Sequence, residues 1–333
     1  MTIHQTADTS IPNSSPANQS ACLAFCQLAI LSIFLLCTFA FCNTATAQQD
    51  FDSDLREAFD DLPAITDPGK AIQLTIKAKA DDVLKYRMES SSKIDMMGLI
   101  IPRSDNYLVE YKINSNDKYG FEFTSQITEM VAKMETRNGN FSVDSVNPEN
   151  ERTDPPFIPL LKLWKELQAS ELTCKCSKQG EILDFQVPER IVEAVADNPF
   201  GFSANDLMSF FVIGLVQVPE DAVSVGDEWD IQHVAVPFGA EDFKQTGKLL
   251  GVVDVDGVQM AAIEIVYEVE MENEEGQITE VEMLTKTALL FDIEAGNVWK
   301  MSQVVESEMV MQIGENEVAQ VSTGTTVITR VDD

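Results

Sequence analysis

The sequence is poor in the side chains that carry most enzyme chemistry. It has two histidines, and only His233 lies beyond the first 47 residues. His233 stands in an alternating, strand-like stretch, and no Gly-x-Ser-x-Gly nucleophile elbow occurs. A Ser-His-Asp triad or a zinc site needs further partners. The sequence therefore predicts a non-enzyme with no catalytic residue, no metal site and no cofactor.

Cysteine is equally scarce outside the N-terminal region. Four of the six cysteines precede residue 48, which leaves Cys174 and Cys176. On a strand these two side chains point the same way, with Cα atoms about 6.5 Å apart, near the limit for a disulfide. We expect two free or partly buried thiols, with a strained disulfide as the alternative. Neither arrangement would hold the fold together.

Basic side chains are also few, with 23 Lys and Arg against 55 Asp and Glu and a net charge of −32. Such an acidic chain is repelled by nucleic acid and by anionic membrane surfaces, so neither is an expected partner. No Lys or Arg precedes Arg56. The apolar run 22–42, followed by Ala45-Thr46-Ala47, predicts a signal peptide of residues 1–47 cleaved after Ala47, with an uncleaved anchor as the alternative. The expected location is secreted or periplasmic, in a bacterial cell envelope.

The remaining chain divides by pattern into an acidic N-terminal segment, 48–69, and a single domain, 70–333. Within the first segment an amphipathic helix is predicted, because its apolar residues fall at i, i+4, i+8 and i+11. These residues are Phe51, Leu55, Phe59 and Leu62. The domain reads as a first meander of strands at 70–147, a helical middle at 148–219 and a second meander at 220–333.

In the first meander, alternation predicts strands at 71–80, 83–97, 106–113, 119–135 and 140–146, with a turn-rich break from Gly98 to Asp105. The middle holds helical spacing from Phe157 to Leu167, two short strands at 170–177 and 182–187, and a helix after Pro188. A further helix is predicted at 203–216, apolar on all sides and therefore enclosed by the rest of the protein.

The second meander has the clearest pattern. Turn signals at 254–257, 273–276, 292–296 and 314–316 separate strands of about 12 to 15 residues, far longer than the usual 5 or 6. Asp254-Val-Asp-Gly257 is read as a hairpin turn in preference to a calcium loop. Strands this long must coil, and a coiled sheet has a concave apolar face. The predicted fold is α+β: a large curved antiparallel sheet, half-barrel-like, wrapped around a few central helices.

This layout resembles the bacterial lipoprotein-carrier superfamily, in which a half-barrel of antiparallel strands wraps around helices and shelters an acyl chain. The segment Pro219–Trp229 also looks like one found in uncharacterised secreted bacterial proteins. The resemblance is one of architecture, so it implies a sheltered apolar ligand and transfers no site residue.

Two functions lead on this evidence, and an enzyme with polar groups converging around His233 comes third. The first is non-catalytic binding of a lipid-like or apolar ligand, or of an envelope protein, between the sheet and the helices. The second is a structural or interaction protein of the envelope with a filled core and no ligand. For the first function, the side chains expected to line the cavity are Leu207, Met208, Phe210, Phe211, Trp164 and Trp299.

Overall fold

The computed structural model describes residues 63–96, 99–137, 139–196, 209–231, 244–272, 278–313 and 316–332. The predicted cleavage site, the amphipathic helix of the N-terminal segment, His233, Leu207 and Met208 lie outside these residues.

Fifteen helices and strands are defined within the described ranges. The strands of the first half are β1 (Val83–Met96), β2 (Leu99–Asn116), β3 (Gly120–Thr136), β4 (Gly139–Asp144), β5 (Arg152–Thr153), β6 (Glu171–Ser177) and β7 (Ile182–Gln186). The α-helices are α1 (Ile158–Gln168) and α2 (Glu189–Ala196), with 3-10 turns at Pro148–Asn150, Pro155–Phe157 and Ser209–Phe211. The strands of the second half are β8 (Glu228–Ile231), β9 (Lys244–Val255), β10 (Val258–Glu272), β11 (Ile278–Asp292), β12 (Asn297–Ile313) and β13 (Asn316–Val331).

All thirteen strands belong to one antiparallel sheet in the order β5-β4-β3-β2-β1-β13-β12-β11-β10-β9-β8, with β6 and β7 continuing from β3. The sheet is open and curved. The two meanders meet where β1 pairs with β13, from Lys85 opposite Val331 to Met96 opposite Gln320. The chain thus places its first and last described strands side by side in the middle of one sheet.

The sheet has an inner face, which carries the main hydrophobic core, and an outer face turned mostly to solvent. On β10, Ile263, Ile265 and Tyr267 are buried, whereas Glu268 on the opposite phase is exposed. Bulges interrupt the pairing at several places, including Ala262/Ile263 and Leu290/Phe291. Because a bulge bends the strand and increases its twist, these irregularities help to curve the long strands. The predicted curved sheet with one apolar face is confirmed.

The helical content is smaller than the predicted α+β class implies. The described ranges hold two short helices, so the fold is better called β-rich. Helix α1 buries Leu160, Leu163, Trp164 and Leu167, the i, i+3, i+4, i+7 stripe of an amphipathic helix. No helix within the described ranges is long and apolar enough to cross a bilayer.

Three local predictions are wrong. Residues 71–80 alternate in burial but form no strand, and Ile72 makes only an isolated bridge to Val223. The expected break at 98–105 is strand from Leu99 onward, so β1 and β2 pair along their full length. The third error concerns 209–216, where a single 3-10 turn replaces the expected helix. Gly214 has a φ of 76°, a left-handed conformation that ends helical geometry.

Candidate ligand-binding face

The described helices cover one side of the inner face, next to β3 and β4. Trp164 of α1 meets Phe210 edge to face, with ring centroids 5.0 Å apart, and both rings lie within 6 Å of Tyr107 on β2. All three rings are buried, as is Phe211. Three of the side chains expected to line a cavity, Trp164, Phe210 and Phe211, are therefore together, but they are packed as core.

Side-chain hydrogen bonds fix the segment after Phe210 against the sheet. The Ser125 hydroxyl donates to the Phe211 carbonyl at 2.6 Å. The Tyr111 hydroxyl donates to the Ile213 carbonyl. Gly214 lies so close to the ring of Tyr86 that a Cβ would stand 2.7 Å from it. The enclosure predicted for 203–216 holds for the described residues 210–216, although they do not form the expected α-helix.

A small cavity lies between this segment and one end of the strands on the inner face. Its volume is 40 Å³, and its walls include Tyr86, Tyr111, Phe123, Leu215 and Phe291. Ligand pockets are usually about 300 to 1,000 Å³, so this space cannot accept an acyl chain. A lipid-like ligand would have to lie elsewhere on the inner face.

Trp299 lies apart from Trp164, Phe210 and Phe211. It packs on the outer face against an apolar group that we call the outer cluster: Val253, Met260, Ala262, Ala288 and Leu290. The cause is the bulge at Leu290/Phe291, where Leu290 pairs with Lys300 and Phe291 with Val298, leaving Trp299 outside the register. A role in ligand binding stays a prediction for Trp164, Phe210, Phe211 and Trp299.

Sequence reasoning missed a line of polar side chains across the middle of the inner face. Five neighbouring strands each contribute one residue in direct register. This polar row is Asp105, Ser90, Thr326, Gln303 and Thr287. Within it Thr326 donates to Ser90 at 3.1 Å, and Gln303 donates to Thr287 at 3.3 Å. The sequence feature that could have revealed this polar row is the set of Ser, Thr and Gln residues on the apolar phase of β1 and β11–β13.

At one end of the polar row lies a buried ion pair. Arg103 Nε and Asp105 Oδ2 are 2.8 Å apart, and Tyr107 Oη donates to Asp105 Oδ1 at 2.8 Å. Burial alone would lower the pKa of Arg103, but Asp105 raises it above the ordinary value, so the guanidinium stays charged. Burial, with a contribution from Asp105, raises the pKa of Tyr107 well above its usual range. The charges of Arg103 and Asp105 cancel, so the pair adds no net charge to the face.

Two other polar side chains on the inner face are completely buried and lack hydrogen-bond partners in the described structure. These are Thr285 at Oγ1 and Gln320 at both amide atoms. Between them on β12 and β13 lie Ser307 and Ser322, whose hydroxyl oxygens are 3.0 Å apart. The four residues form a diagonal polar track, which we call the Thr285–Gln320 track.

Cys174 and Cys176 are free and buried, as expected, and lie opposite Phe123 and Phe121 of β3. Burial raises the pKa of Cys174 to about 12 and that of Cys176 further still. Because the thiolate is the reactive form, neither thiol is a nucleophile at neutral pH. Across the described ranges, no group of three or more His, Cys, Asp or Glu side chains could hold a metal ion.

Comparison with known proteins gives no family. No family model matches the chain, and no curated protein matches it. A structure of lipid–protein interactions in lipovitellin aligns over 77% of this chain and 26% of that one, with 11% identity and a TM-score of 0.46. This chain thus spans about a quarter of lipovitellin's length.

Two further structures align still more loosely. An outer membrane channel from Pseudomonas putida F1 aligns over 80% of this chain and 100% of that one, with 8% identity and a TM-score of 0.23. A DUF1329 family protein from Desulfovibrio piger aligns over 74% and 84%, with 10% identity and a TM-score of 0.14. At TM-scores below 0.5 they assign neither a family nor a function.

Proposed function

We propose that this is a non-catalytic, secreted or periplasmic binding protein that holds an amphipathic, lipid-like ligand against the inner face of the sheet. The observation that carries the proposal is the pair of unpartnered polar side chains, Thr285 and Gln320, in the middle of a buried apolar face. A buried polar group without a partner costs about 1–3 kcal/mol. A ligand that supplied a donor and an acceptor there would remove that cost.

The chemistry of the track defines the polar part of the ligand. Gln320 offers one acceptor and two donor hydrogens, and the Thr285 hydroxyl can do either. The nearby charges of Arg103 and Asp105 neutralise each other, and the chain as a whole is strongly acidic. An uncharged head with both donor and acceptor atoms, such as a glycerol ester or an amide, fits better than a carboxylate or a phosphate.

The side chains around the Thr285–Gln320 track suit the apolar part of the proposed ligand. Met283 and Met309 are buried on the inner face beside it, with Val281, Val269 and Val318 nearby. Methionine is flexible and polarisable, so it adapts to chains of different shape. The 40 Å³ cavity lies at the other end of the strands, next to Tyr86, and takes no part in the proposal.

The test is binding of a pyrene-labelled dodecanoyl glycerol to the purified full-length protein, followed by fluorescence. Gln320→Leu and Thr285→Val should each weaken binding about tenfold, the equivalent of one lost hydrogen bond of roughly 1.4 kcal/mol. Thr323→Val, on the exposed phase of β13, is the matched control and should bind normally. Native mass spectrometry of the gently purified protein should detect a bound neutral lipid. Absence of probe binding, or undiminished binding by both inner-face variants, would refute the proposal.

A second candidate function is a structural or interaction protein of the envelope with a filled core. The packing of the buried Trp164 and Phe210 rings against each other and against Tyr107 favours it, since these side chains form core rather than the wall of a cavity. On this hypothesis the same variants give a different result. Gln320→Leu and Thr285→Val would raise the stability of the protein by removing unpaired polar atoms, and the pyrene probe would bind to none of the proteins.

A further inference from the structure

Part of the polar region on the inner face is open rather than packed. Ser90 and Ser92 of β1 and Gly324 of β13 are each partly exposed. The apolar side chains that precede and follow the two serines on the same face of β1, Met88 and Ile94, are buried. The inner face is therefore accessible where its side chains are small and polar.

These small residues are neighbours across the pairing of β1 with β13. Ser92 lies directly opposite Gly324, and Ile94 lies opposite Ser322. A Cβ placed on Gly324 would have the Ser91 carbonyl oxygen and the Ser92 Cβ as its nearest neighbours, both at 3.2 Å and both on β1. No atom of an opposing layer is nearer than these. We call the group Ser90, Ser92, Ser322 and Gly324 the serine depression.

Longer side chains border the serine depression on both sides. Arg103 lies opposite Ser92 in the β1–β2 pairing, and Val305 lies opposite Gly324 in the β12–β13 pairing. Across β1, β13 and β12 the area spans two strand spacings, and from Thr326 to Ser322 it spans four residues, roughly 10 Å by 13 Å. This area exceeds what one glycerol ester can contact, and a sugar ring fits within it.

The hydrogen-bonding groups around the depression are hydroxyls and amides. Thr326 donates to Ser90 at 3.1 Å, and the hydroxyl oxygens of Ser307 and Ser322 are 3.0 Å apart. A hydroxyl donates one hydrogen bond and accepts two, so these pairs retain capacity for a ligand. The unpartnered amide of Gln320 follows on the same strand, two residues from Ser322. The depression thus joins the polar row to the Thr285–Gln320 track.

The charges near the depression cancel. The polar row and the adjacent row, which runs from Arg103 to Thr285, contain one cation and one anion, and these are the paired Arg103 and Asp105. On the same five strands, the next inner-face rows on either side are uncharged, from Ile101 to Met283 and from Tyr107 to Leu289. A phosphate, carboxylate or ammonium group would therefore be buried without a counter-charge, which is costly. A neutral group with several hydroxyls has no such cost.

We infer that the serine depression binds a neutral glycosyl group. Each sugar hydroxyl both donates and accepts hydrogen bonds, which matches the Ser, Thr and Gln side chains around it. The inference rests on the proposed function, which places the apolar part of the ligand beside the Thr285–Gln320 track. It narrows the polar part from any uncharged head to a sugar, carried by a lipid or by a soluble glycan.

The test compares three probes in binding to the purified full-length protein. They are pyrene-labelled dodecanoyl glycerol and the same probe with a β-galactosyl or a β-glucosyl group on a free hydroxyl. The native protein should bind one of the glycosylated probes about tenfold more tightly than the parent probe, as expected for one added hydrogen bond. This comparison needs no variant, so it stands even if a substitution impairs folding.

A pair of variants then locates the sugar. Ser92→Ile fills the depression and should abolish the preference for the glycosylated probe. Ser91→Ile makes the same change one position away, on the exposed outer phase of β1, and is the matched control that should keep the preference. Displacement of the glycosylated probe by a free methyl glycoside would identify a soluble glycan as the source of the sugar, and failure to displace it would identify a glycolipid.

Three results would overturn the inference, and they separate it from the proposed function. Equal affinity for all three probes would refute the glycosyl group and leave the lipid-binding function intact. Binding of none of the probes would refute the proposed function, and the inference with it. A preference that survives in Ser92→Ile would show that the sugar binds outside the serine depression.

Discussion

Removal of the Asp105 carboxylate charge should destabilise the protein far more than removal of an exposed one. Asp105 accepts hydrogen bonds from Arg103 and Tyr107, and the side chains of the ion pair are 1% and 5% exposed. Asp105→Asn keeps the size of the side chain but leaves the guanidinium of Arg103 buried without its counter-charge. Breaking a buried pair in this way costs about 3–5 kcal/mol.

The ion pair of Lys248 and Glu228 is the matched control. Its N–O distance is also 2.8 Å, but the two side chains are 40% and 55% exposed. Water screens such a pair, so Glu228→Gln should cost about 1 kcal/mol or less. The assay is urea unfolding followed by circular dichroism, with the midpoint shift as the readout.

A third variant separates charge from shape. Arg103→Met combined with Asp105→Asn removes both charges and leaves an amide oxygen to accept the Tyr107 hydroxyl. It should recover most of the stability lost in Asp105→Asn alone, giving a large coupling energy. If Asp105→Asn shifts the midpoint no further than Glu228→Gln does, the reasoning about this buried pair is wrong.

Two further predictions concern the core. Gly214→Ala should lower the unfolding temperature more than Gly226→Ala: both glycines have positive φ, but only at Gly214 would the new methyl strike a ring, that of Tyr86. If thermal melts show that both variants lower the unfolding temperature equally, backbone strain alone accounts for the loss of stability. Burial raises the pKa of the Cys174 thiol from about 9 in the unfolded chain to about 12 in the folded protein. The contribution of this thiol to stability is therefore complete below pH 9 and is lost as the pH rises toward 12. Cys174→Ala should therefore lose less stability between pH 9 and 11 than the native protein does in urea titrations, and an identical loss would count against the raised pKa.

The elements that sequence predicts best are those in which one local pattern decides. Three local patterns predict their structure without information from the rest of the chain, and all three are confirmed. They are the alternation in β9–β13, the turn signal at 254–257 and the apolar stripe of α1. At the 254–257 turn, the Asp254 carboxylate accepts a hydrogen bond from the Gly257 amide at 2.8 Å, as expected of a hairpin.

Prediction failed where distant parts of the chain decide. Residues 71–80 have strand-like alternation, but none of the described strands is placed to pair along their length. In 209–216 the carbonyls bond to Ser125 and Tyr111, residues that lie far earlier in the chain. Pro102 and Arg103-Ser104-Asp105 look like a turn by composition, yet β1 holds them in register opposite Lys93 and its neighbours.

The candidate site was harder to predict than the fold. The polar row exists only because five strands align, and neither its register nor the pairing of β1 with β13 is visible in local sequence. Hydrophobicity is the property that singles out Phe210 and Trp164, and it cannot separate a packed core from a ligand pocket.

The pairing of β1 with β13 also bears on how the protein acquires its structure. The hydroxyls of Ser90 and Thr326 meet although 236 positions separate them in the chain. Contacts between such remote segments form slowly, because a very long loop must close before they contribute any stability. Until they form, each meander has an unpaired edge that can capture another strand. Slow pairing of β1 with β13 therefore favours chaperone-assisted folding and makes partially folded chains prone to association.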